Sequence, residues 1–438
     1  MSTSTPGRRS LPCAIPDTPL AAAVPGIETC VHCGFCLQAC PTYVNLEDEN
    51  DSPRGRIVLM RSVVEGELAL DDPSVQTHID RCLGCRACET ACPSGVPYGQ
   101  LLEATRATLR TVRPTPLLGR IILAVIAKAS ALRVMLVVSR IARATGLASL
   151  FSGIGGRLGF ASAMLSSTRL PLPERDYDFG LPGSRGAVAL LQGCVMSGLY
   201  ARTNRATRRT LKANDYRIRG APGQACCGAL HAHAGDLETA RTLARKNIEA
   251  FEQSGADFIG VNAAGCGAMM KEYDHLLADD PAWAARAAAV SARVRDVSEL
   301  LAAAGPRPGG ALPLRVTYDA PCHLLHAQRI ASPPLEVLRA IPELSLLPLT
   351  DSEHCCGAAG IYNLLEPATS DAVLAPKLRH IASTGADWVV TGNPGCLMQI
   401  GAGLRRAHAR ARAVHPVDLL DASYARQAQA QAGVHADS

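Results

Sequence analysis

Sixteen of the seventeen cysteines in this 438-residue chain fall into four groups of four, and only Cys13 stands apart. Two groups are tight: Cys30-x2-Cys33-x2-Cys36-x3-Cys40-Pro41 in CVHCGFCLQACP, and Cys82-x2-Cys85-x2-Cys88-x3-Cys92-Pro93 in CLGCRACETACP. Three cysteines at intervals of three wrap a loop around one iron–sulfur cube, and the fourth, projected from the following helical turn, reaches the neighbouring cube. The spacing therefore predicts two [4Fe–4S] clusters, one held by Cys30, Cys33, Cys36 and Cys92, the other by Cys82, Cys85, Cys88 and Cys40. Thiolates suit soft iron, and the proline after each fourth cysteine ends its loop with no N–H left unsatisfied. Zinc is the alternative use of Cys-x-x-Cys, but zinc knuckles take two pairs rather than two runs of four with a trailing proline. His32 lies among the ligands and reads as a loop residue.

The other two groups are spread out: Cys194, Cys226, Cys227 and Cys266, then Cys322, Cys355, Cys356 and Cys396. Corresponding members are offset by 128, 129, 129 and 130 residues, and GADFIGVNAAGC (255–266) aligns without gaps to GADWVVTGNPGC (385–396). So regular an offset indicates a duplicated domain. Vicinal cysteines point in different directions, which is poor geometry for an ordinary cube. Four thiols per repeat leave open a further iron–sulfur cluster, a redox dithiol or a contact surface; the plain alternative is a set of small buried hydrophobes.

Other redox and nucleotide signatures are missing. There is no Cys-x-x-Cys-His for covalent haem and no phosphate loop, and SGIGGRLG (152–159) fails the Gly-x-Gly-x-x-Gly spacing and follows no clear strand. With clusters but no flavin or nicotinamide site, the chain is expected to relay electrons that a partner extracts from substrate.

The elements that must hold these thiols follow from the patterning. GAVALLQGC (186–194) and LRVTYDAPC (314–322) are each an apolar strand ending at a cysteine, and strand and helix patterns alternate after both. That predicts α/β units with parallel strands, with each cysteine at a strand's carboxyl end, where open α/β sheets place their sites. The expected fold class is α/β, with an N-terminal two-cluster α-rich module followed by duplicated α/β cysteine-rich domains. The boundaries read as 20–110 for the cluster module, 111–185 for a helical basic connector and linker, 186–305 for the first cysteine-rich domain and 312–425 for the second. Apolar residues at 47% and charged residues at 19% exclude wholesale disorder.

Charge is unevenly placed. No Asp or Glu occurs from Ala104 to Pro173, where ten basic residues stand (Arg106, Arg110, Arg113, Arg120, Lys128, Arg133, Arg140, Arg143, Arg157 and Arg169) against +5 for the whole chain. Such a segment suggests an anionic partner or a membrane surface. Arg120, Lys128, Arg133 and Arg140 interrupt the apolar run and fall around the helical wheel, so neither a spanning helix nor a clean interfacial helix is expected. The reading is a packed helical connector. At the start, Arg8-Arg9 is followed by Pro12, Pro16, Pro19 and Pro25, which break any apolar leader segment. Grouped cysteines then imply the reducing cytoplasm. No nucleic-acid partner is expected.

Taken with CVHCGFCLQACPTY, DSPRGRI (51–57), DRCLGCRACETACPSGVPYG (80–99), CCGALHAH (226–233), GCGAMMKEYDHLL (265–277), PCHLLHAQ (321–328) and HCCGAAGIY (354–362), the chain resembles the iron–sulfur subunits of glycolate oxidase over almost its whole length. The resemblance implies a ferredoxin-type module and two Cys-Cys-Gly domains in an oxidoreductase complex. FAD-binding flavoprotein subunits would oxidise glycolate to glyoxylate. This chain would carry the electrons to the respiratory chain through a quinone-linked acceptor, from the cytoplasm or the inner face of the membrane. The anaerobic glycerol-3-phosphate dehydrogenase iron–sulfur subunit shares the architecture, and a lactate-utilisation or heterodisulfide-reductase-like subunit is a further alternative. In the heterodisulfide-reductase-like relative the repeat ends in Cys-x-x-Cys; here the last position is Met269 in one repeat and Gln399 in the other.

Overall fold

The computed structural model describes residues 13–168 and 172–436, so Arg169 and the Arg8-Arg9 pair lie outside the described residues. Contacts divide the chain into two compact units, one running to Thr115 and taking in His233–Asp236, the other holding Pro116–Ala232 and everything from Leu237 onward.

The first unit is built of short helices, the longest being Pro53–Glu65 and Tyr98–Leu109. Their starts are written in the sequence. Pro19, Pro41, Pro53 and Pro73 each open a helix, where the missing N–H costs nothing. Thr18, Ser52 and Asp72 cap three of those four through side-chain oxygens. The helices bury Leu20, Ile27, Met60, Val64, Ile79 and Leu101, and Cys82 and Cys88 belong to the same core.

The second unit contains two parallel sheets of identical order. Strands β1 (Ala187–Leu190), β2 (Arg217–Arg219), β3 (Phe258–Val261) and β4 (Val294–Asp296) lie in the order β2-β1-β3-β4. Strands β5 (Arg315–Tyr318), β6 (Ser345–Leu347), β7 (Trp388–Val390) and β8 (Arg412–Val414) repeat it as β6-β5-β7-β8. The equivalent pairs Val188–Phe258 and Val316–Trp388 keep the register. Central β1 is buried along its length, as a parallel strand covered on both faces must be.

The repeats are fused rather than strung together. Val188, Leu190 and Leu300 of the first share one core with Val316, Val390 and Leu420 of the second. The last helix, Pro416–Ala436, lies along Ala201–Ala213 of the first repeat. There Arg209 grips Asp421 with two bonds of 2.8 and 2.7 Å, and Asn214 bonds Tyr424. Ala264 N–H also donates to the Gly392 carbonyl at 3.1 Å, so the loops after β3 and β7 touch.

The connector forms the helices Leu117–Ala127, Ala129–Ala144, Leu147–Phe151 and Gly156–Ser167, and they are unevenly packed. Leu123, Ile126 and Leu136 are buried, whereas Leu117, Ile121, Val134, Val138, Leu150 and Leu158 are exposed. The first two helices attach along one narrow side, whereas Gly156–Ser167 packs on Pro394–Arg406 with Phe160 and Ala163 buried against Ala402. No single described helix is long and apolar enough to cross a membrane.

Candidate functional site

In the first unit, both tight cysteine runs fold into loops with the same backbone. His32 and Gly84 occupy corresponding positions in the two runs and both are left-handed, with φ of 55° and 61°; Gly34 and Arg86 likewise, with φ of 84° and 64°. Each loop thus uses one glycine and one residue for which that conformation costs energy. Arg86 is held there by Glu89, whose carboxylate accepts from Arg86 Nε at 2.9 Å and from Gly99 N–H at 2.6 Å. The fourth cysteines match too: Cys40 (φ −90°, ψ 113°) precedes the helix Pro41–Leu46, and Cys92 (φ −85°, ψ 114°) follows Ala87–Ala91.

The folded loops bring cysteines of both runs together. Cys30, Cys33 and Cys36 line one pocket together with Cys92, walled by Ile57 and Val96. Cys88 lines the same pocket, and Cys82 and Cys40, then Glu89 and Cys36, add like charge to its burial. Cys85 is buried as well. Burial holds the Cys36 thiol up at about 11, with Cys30 and Cys40 adding to the effect, and drives Cys88 well above the ordinary thiol range. Such thiols stay protonated unless a cation displaces the proton.

Sequence reasoning missed the residue that joins these runs. Arg56, fully buried, donates from Nε to the His78 carbonyl at 2.6 Å and from Nη2 to Thr42 Oγ1 and Asp51 Oδ1, both at 3.1 Å. Its Nη1 stands 3.9 Å from the Cys40 sulfur. Burial works against its charge, but Cys82, Tyr98, Cys40 and Asp51 outweigh it and raise its pKa. Tyr98 O–H and the Gly84 N–H also point at the Cys82 sulfur, at 3.7 and 3.4 Å. Donors clustered on two sulfurs suit thiolates that carry charge, and the set fits an iron–sulfur group. The signal was present in the helix that DSPRGRI opens: Arg56 stands three, four and seven residues before Leu59, Met60 and Val63, on its apolar face.

In the second unit each repeat gathers its cysteines where its strand order reverses. Cys194 follows β1 and Cys266 follows β3, and the Cys226-Cys227 loop comes after β2. Hydrogen bonds link Cys194 to Cys226, Cys226 to Cys227 and Cys227 to Cys266. In the second repeat Cys356 is bonded to both Cys355 and Cys396, which with burial raise it far above the ordinary range. Cys322 is buried at the head of a π-helical turn, His323–Ala327, with its sulfur 3.4 Å from His323 Nδ1.

The glycine of each Cys-Cys-Gly has a steric cause. Gly228 (φ +90°) and Gly357 (φ +84°) pack on the next helix at the equivalent residues Ala240 and Ser370; a Cβ on Gly357 would stand 2.7 Å from the Ser370 carbonyl oxygen. The repeats differ in what braces this loop. Asn247 in the first donates to the Cys226 carbonyl at 3.0 Å. At the equivalent place the second has Lys377, buried against Asp319 at 2.7 Å and bonded to the carbonyls of Asp351 and Ser352. The first site is thus neutral and the second carries an ion pair. Gln399 is no substitute ligand, because its amide accepts from Asn363 at 2.8 Å and donates to Ser370 at 2.9 Å. Met269 lies in the core of the first repeat.

Comparison with known proteins agrees with this layout. Residues 26–96 match the 4Fe-4S dicluster domain, and 188–271 and 316–401 each match the cysteine-rich domain. The chain is 38% identical over 419 residues to a probable glycolate oxidase iron-sulfur subunit of Bacillus subtilis (strain 168), covering 89% of this chain and 92% of that one. The chain belongs to the family of glycolate oxidase iron–sulfur subunits. The subunit of Escherichia coli (strain K12) is 35% identical over 84% of this chain and 88% of its own length. A lactate utilization protein A of Shouchella clausii aligns with 50% of this chain at 30% identity, so that alternative fits less well. Like its relatives, this chain is an iron–sulfur electron-transfer subunit with two [4Fe–4S] clusters, acting within an oxidoreductase complex.

Proposed function

We propose that this chain accepts electrons from an FAD-binding partner that oxidises glycolate to glyoxylate, and passes them to a quinone-linked acceptor of the respiratory chain at the inner face of the cell membrane. Two relatives bearing the glycolate oxidase name over most of the chain support the substrate. The carrying observation is that Cys92 lines one pocket with Cys30, Cys33 and Cys36, as Cys88 also does, while Cys40 and Cys82 both act on Arg56. On this reading Cys30, Cys33, Cys36 and Cys92 hold one cluster, and Cys82, Cys85, Cys88 and Cys40 the other. Bound clusters supply one-electron chemistry, which lets a two-electron flavin discharge in single steps. The chain's own part is to bury the sulfurs, keep water from them and set the local charge. Arg56 and Tyr98 favour added negative charge on the side of Cys40 and Cys82.

Co-purification with a flavoprotein, followed by glycolate-dependent dye reduction, tests the reading; a complex that reduces dye with glycerol 3-phosphate or lactate but not glycolate overturns it. The convergence of thiols in each Cys-Cys-Gly repeat favours a second pair of metal or redox sites. Anaerobic iron and sulfide analysis decides between about 8 iron per chain for two cubes and about 16 if each repeat holds a further four-iron cluster.

A further inference from the structure

The connector helices carry a surface that electron transfer through the cysteine sites does not use. Of the nineteen large hydrophobic residues exposed among the described residues, thirteen fall between Leu117 and Leu158. Monomeric soluble proteins rarely collect exposed apolar side chains this way without a surface to cover them. Among them stand exposed Arg120, Lys128, Arg133 and Arg157, with no carboxylate anywhere in the segment.

The opposite side of the same helices is fixed. Leu136 packs directly on Gly198, where a Cβ would stand about 2.1 Å from its side chain. Arg140 donates to the carbonyls of Ser197 and Gly198 at 3.0 and 3.1 Å, and Arg143 to that of Leu199 at 3.1 Å. Ile126 and Leu123 are buried, and the Leu123 carbonyl lies 3.2 Å from His231 Nε2. The exposed face is therefore rigidly presented on the helix that begins at Cys194.

We propose that this face rests on an anionic lipid bilayer. The headgroup boundary offers hydrocarbon and negative charge side by side in every direction, which is the chemistry that scattered cations among Val, Leu and Ile satisfy. Neither helix alone can span. At about 1.5 Å per residue the 11- and 16-residue helices reach about 17 and 24 Å, short of a core about 30 Å thick. They also meet at 105°. The pair lies along the surface with its apolar side chains in the acyl boundary and its cations at the phosphates. The proposal deepens the peripheral placement suggested above and puts the Cys194 site on the membrane side of the subunit.

The test is flotation of the full, cluster-loaded chain with vesicles of phosphatidylcholine containing about 30% phosphatidylglycerol, and with phosphatidylcholine alone. Binding to the anionic vesicles is expected, weaker on neutral ones and weakened by 1 M salt. The variant Val134→Glu/Val138→Glu alters only exposed positions and is expected to lower partitioning at least tenfold with unchanged cluster absorption. Arg120→Gln and Lys128→Gln are expected to lower it about fivefold each. No binding of the parent chain, equal binding to both vesicle types, or undiminished binding by the double variant overturns the proposal. So does loss of partner subunits by a double variant that still floats, which makes the face a protein interface. Dye reduction by the soluble complex needs no membrane, so its outcome reads the electron path separately.

Discussion

Replacing Arg56 with methionine should damage the cluster module in two measurable ways. The guanidinium makes three charge-assisted bonds in a fully buried setting, and removing it leaves Asp51 with Arg81 at 2.9 Å and His78 Nδ1 at 3.1 Å. Removing one member of a buried pair costs about 3–5 kcal/mol, and Arg81 retains Asp51, so the lower end applies. For a body of about this size that loss lowers Tm by about 10 °C. The electrical effect follows from the 3.9 Å between Nη1 and the Cys40 sulfur. A unit charge about 4 Å from a thiolate is worth about 4 kcal/mol at an effective dielectric of about 20. An added electron shared over four thiolates feels about 1 kcal/mol of this, which for one electron is about 40 mV more negative. Anaerobic thermal melts and potentiometric titration followed by electron paramagnetic resonance measure both. Arg56→Lys should recover much of the potential but less of the stability, since an ammonium lacks the fork that reaches four partners. A methionine variant that melts within about 2 °C of the parent with both midpoints in place would refute the reasoning.

Three further outcomes are expected. Cys92→Ser should impair the paramagnetic signal of the cluster at Cys30, Cys33 and Cys36, and Cys40→Ser that of the other; loss confined to each residue's own run would remove the crossed assignment. Gly357→Ala should destabilise the second repeat by about 1–3 kcal/mol, because φ is +84° and its Cβ would meet the Ser370 carbonyl, whereas Gly220→Ala, in open space, should leave Tm unchanged. Burial raises Asp418 to about 7, and Thr203 only partly offsets this by donating at 3.0 Å. Between the unfolded value near 4 and about 7 the folded chain holds the extra proton, so stability falls as pH rises across that window. Asp418→Asn should then raise Tm at pH 8 and have little effect at pH 4; an equal shift at both would show that ionisation is not the cause.

The cysteines were legible in the sequence because their types and spacings already state a coordination problem. The duplicated offset likewise announced two α/β units, and the strand order repeats as that duplication requires. What spacing could not reveal is which non-cysteine side chains brace the thiols. Arg56 acts through its fold neighbours His78 and Asp51, and Lys377 replaces Asn247 at a position that only the aligned repeats make equivalent. The left-handed loop positions at His32 and Arg86 were hidden too, since the residue tolerated there differs between the runs while the backbone does not. The connector misled for a simpler reason. A helical wheel describes the residues a helix carries, whereas burial depends on how much of another element lies against it, and in the first two connector helices only the strip of Leu123, Ile126 and Leu136 is covered among the large apolar side chains.

The presence of Cys92 in the cavity of Cys30, Cys33 and Cys36 also bears on how the protein is made. On the proposed crossed assignment, the first run is complete in sequence at Cys40 yet lacks its fourth ligand until Cys92, fifty-two residues later, has left the ribosome. Neither site can close while the other run is missing, so metal insertion becomes a single event that waits for the whole module. Under iron starvation such a chain would accumulate as filled and empty molecules, with few half-filled ones to donate electrons to oxygen.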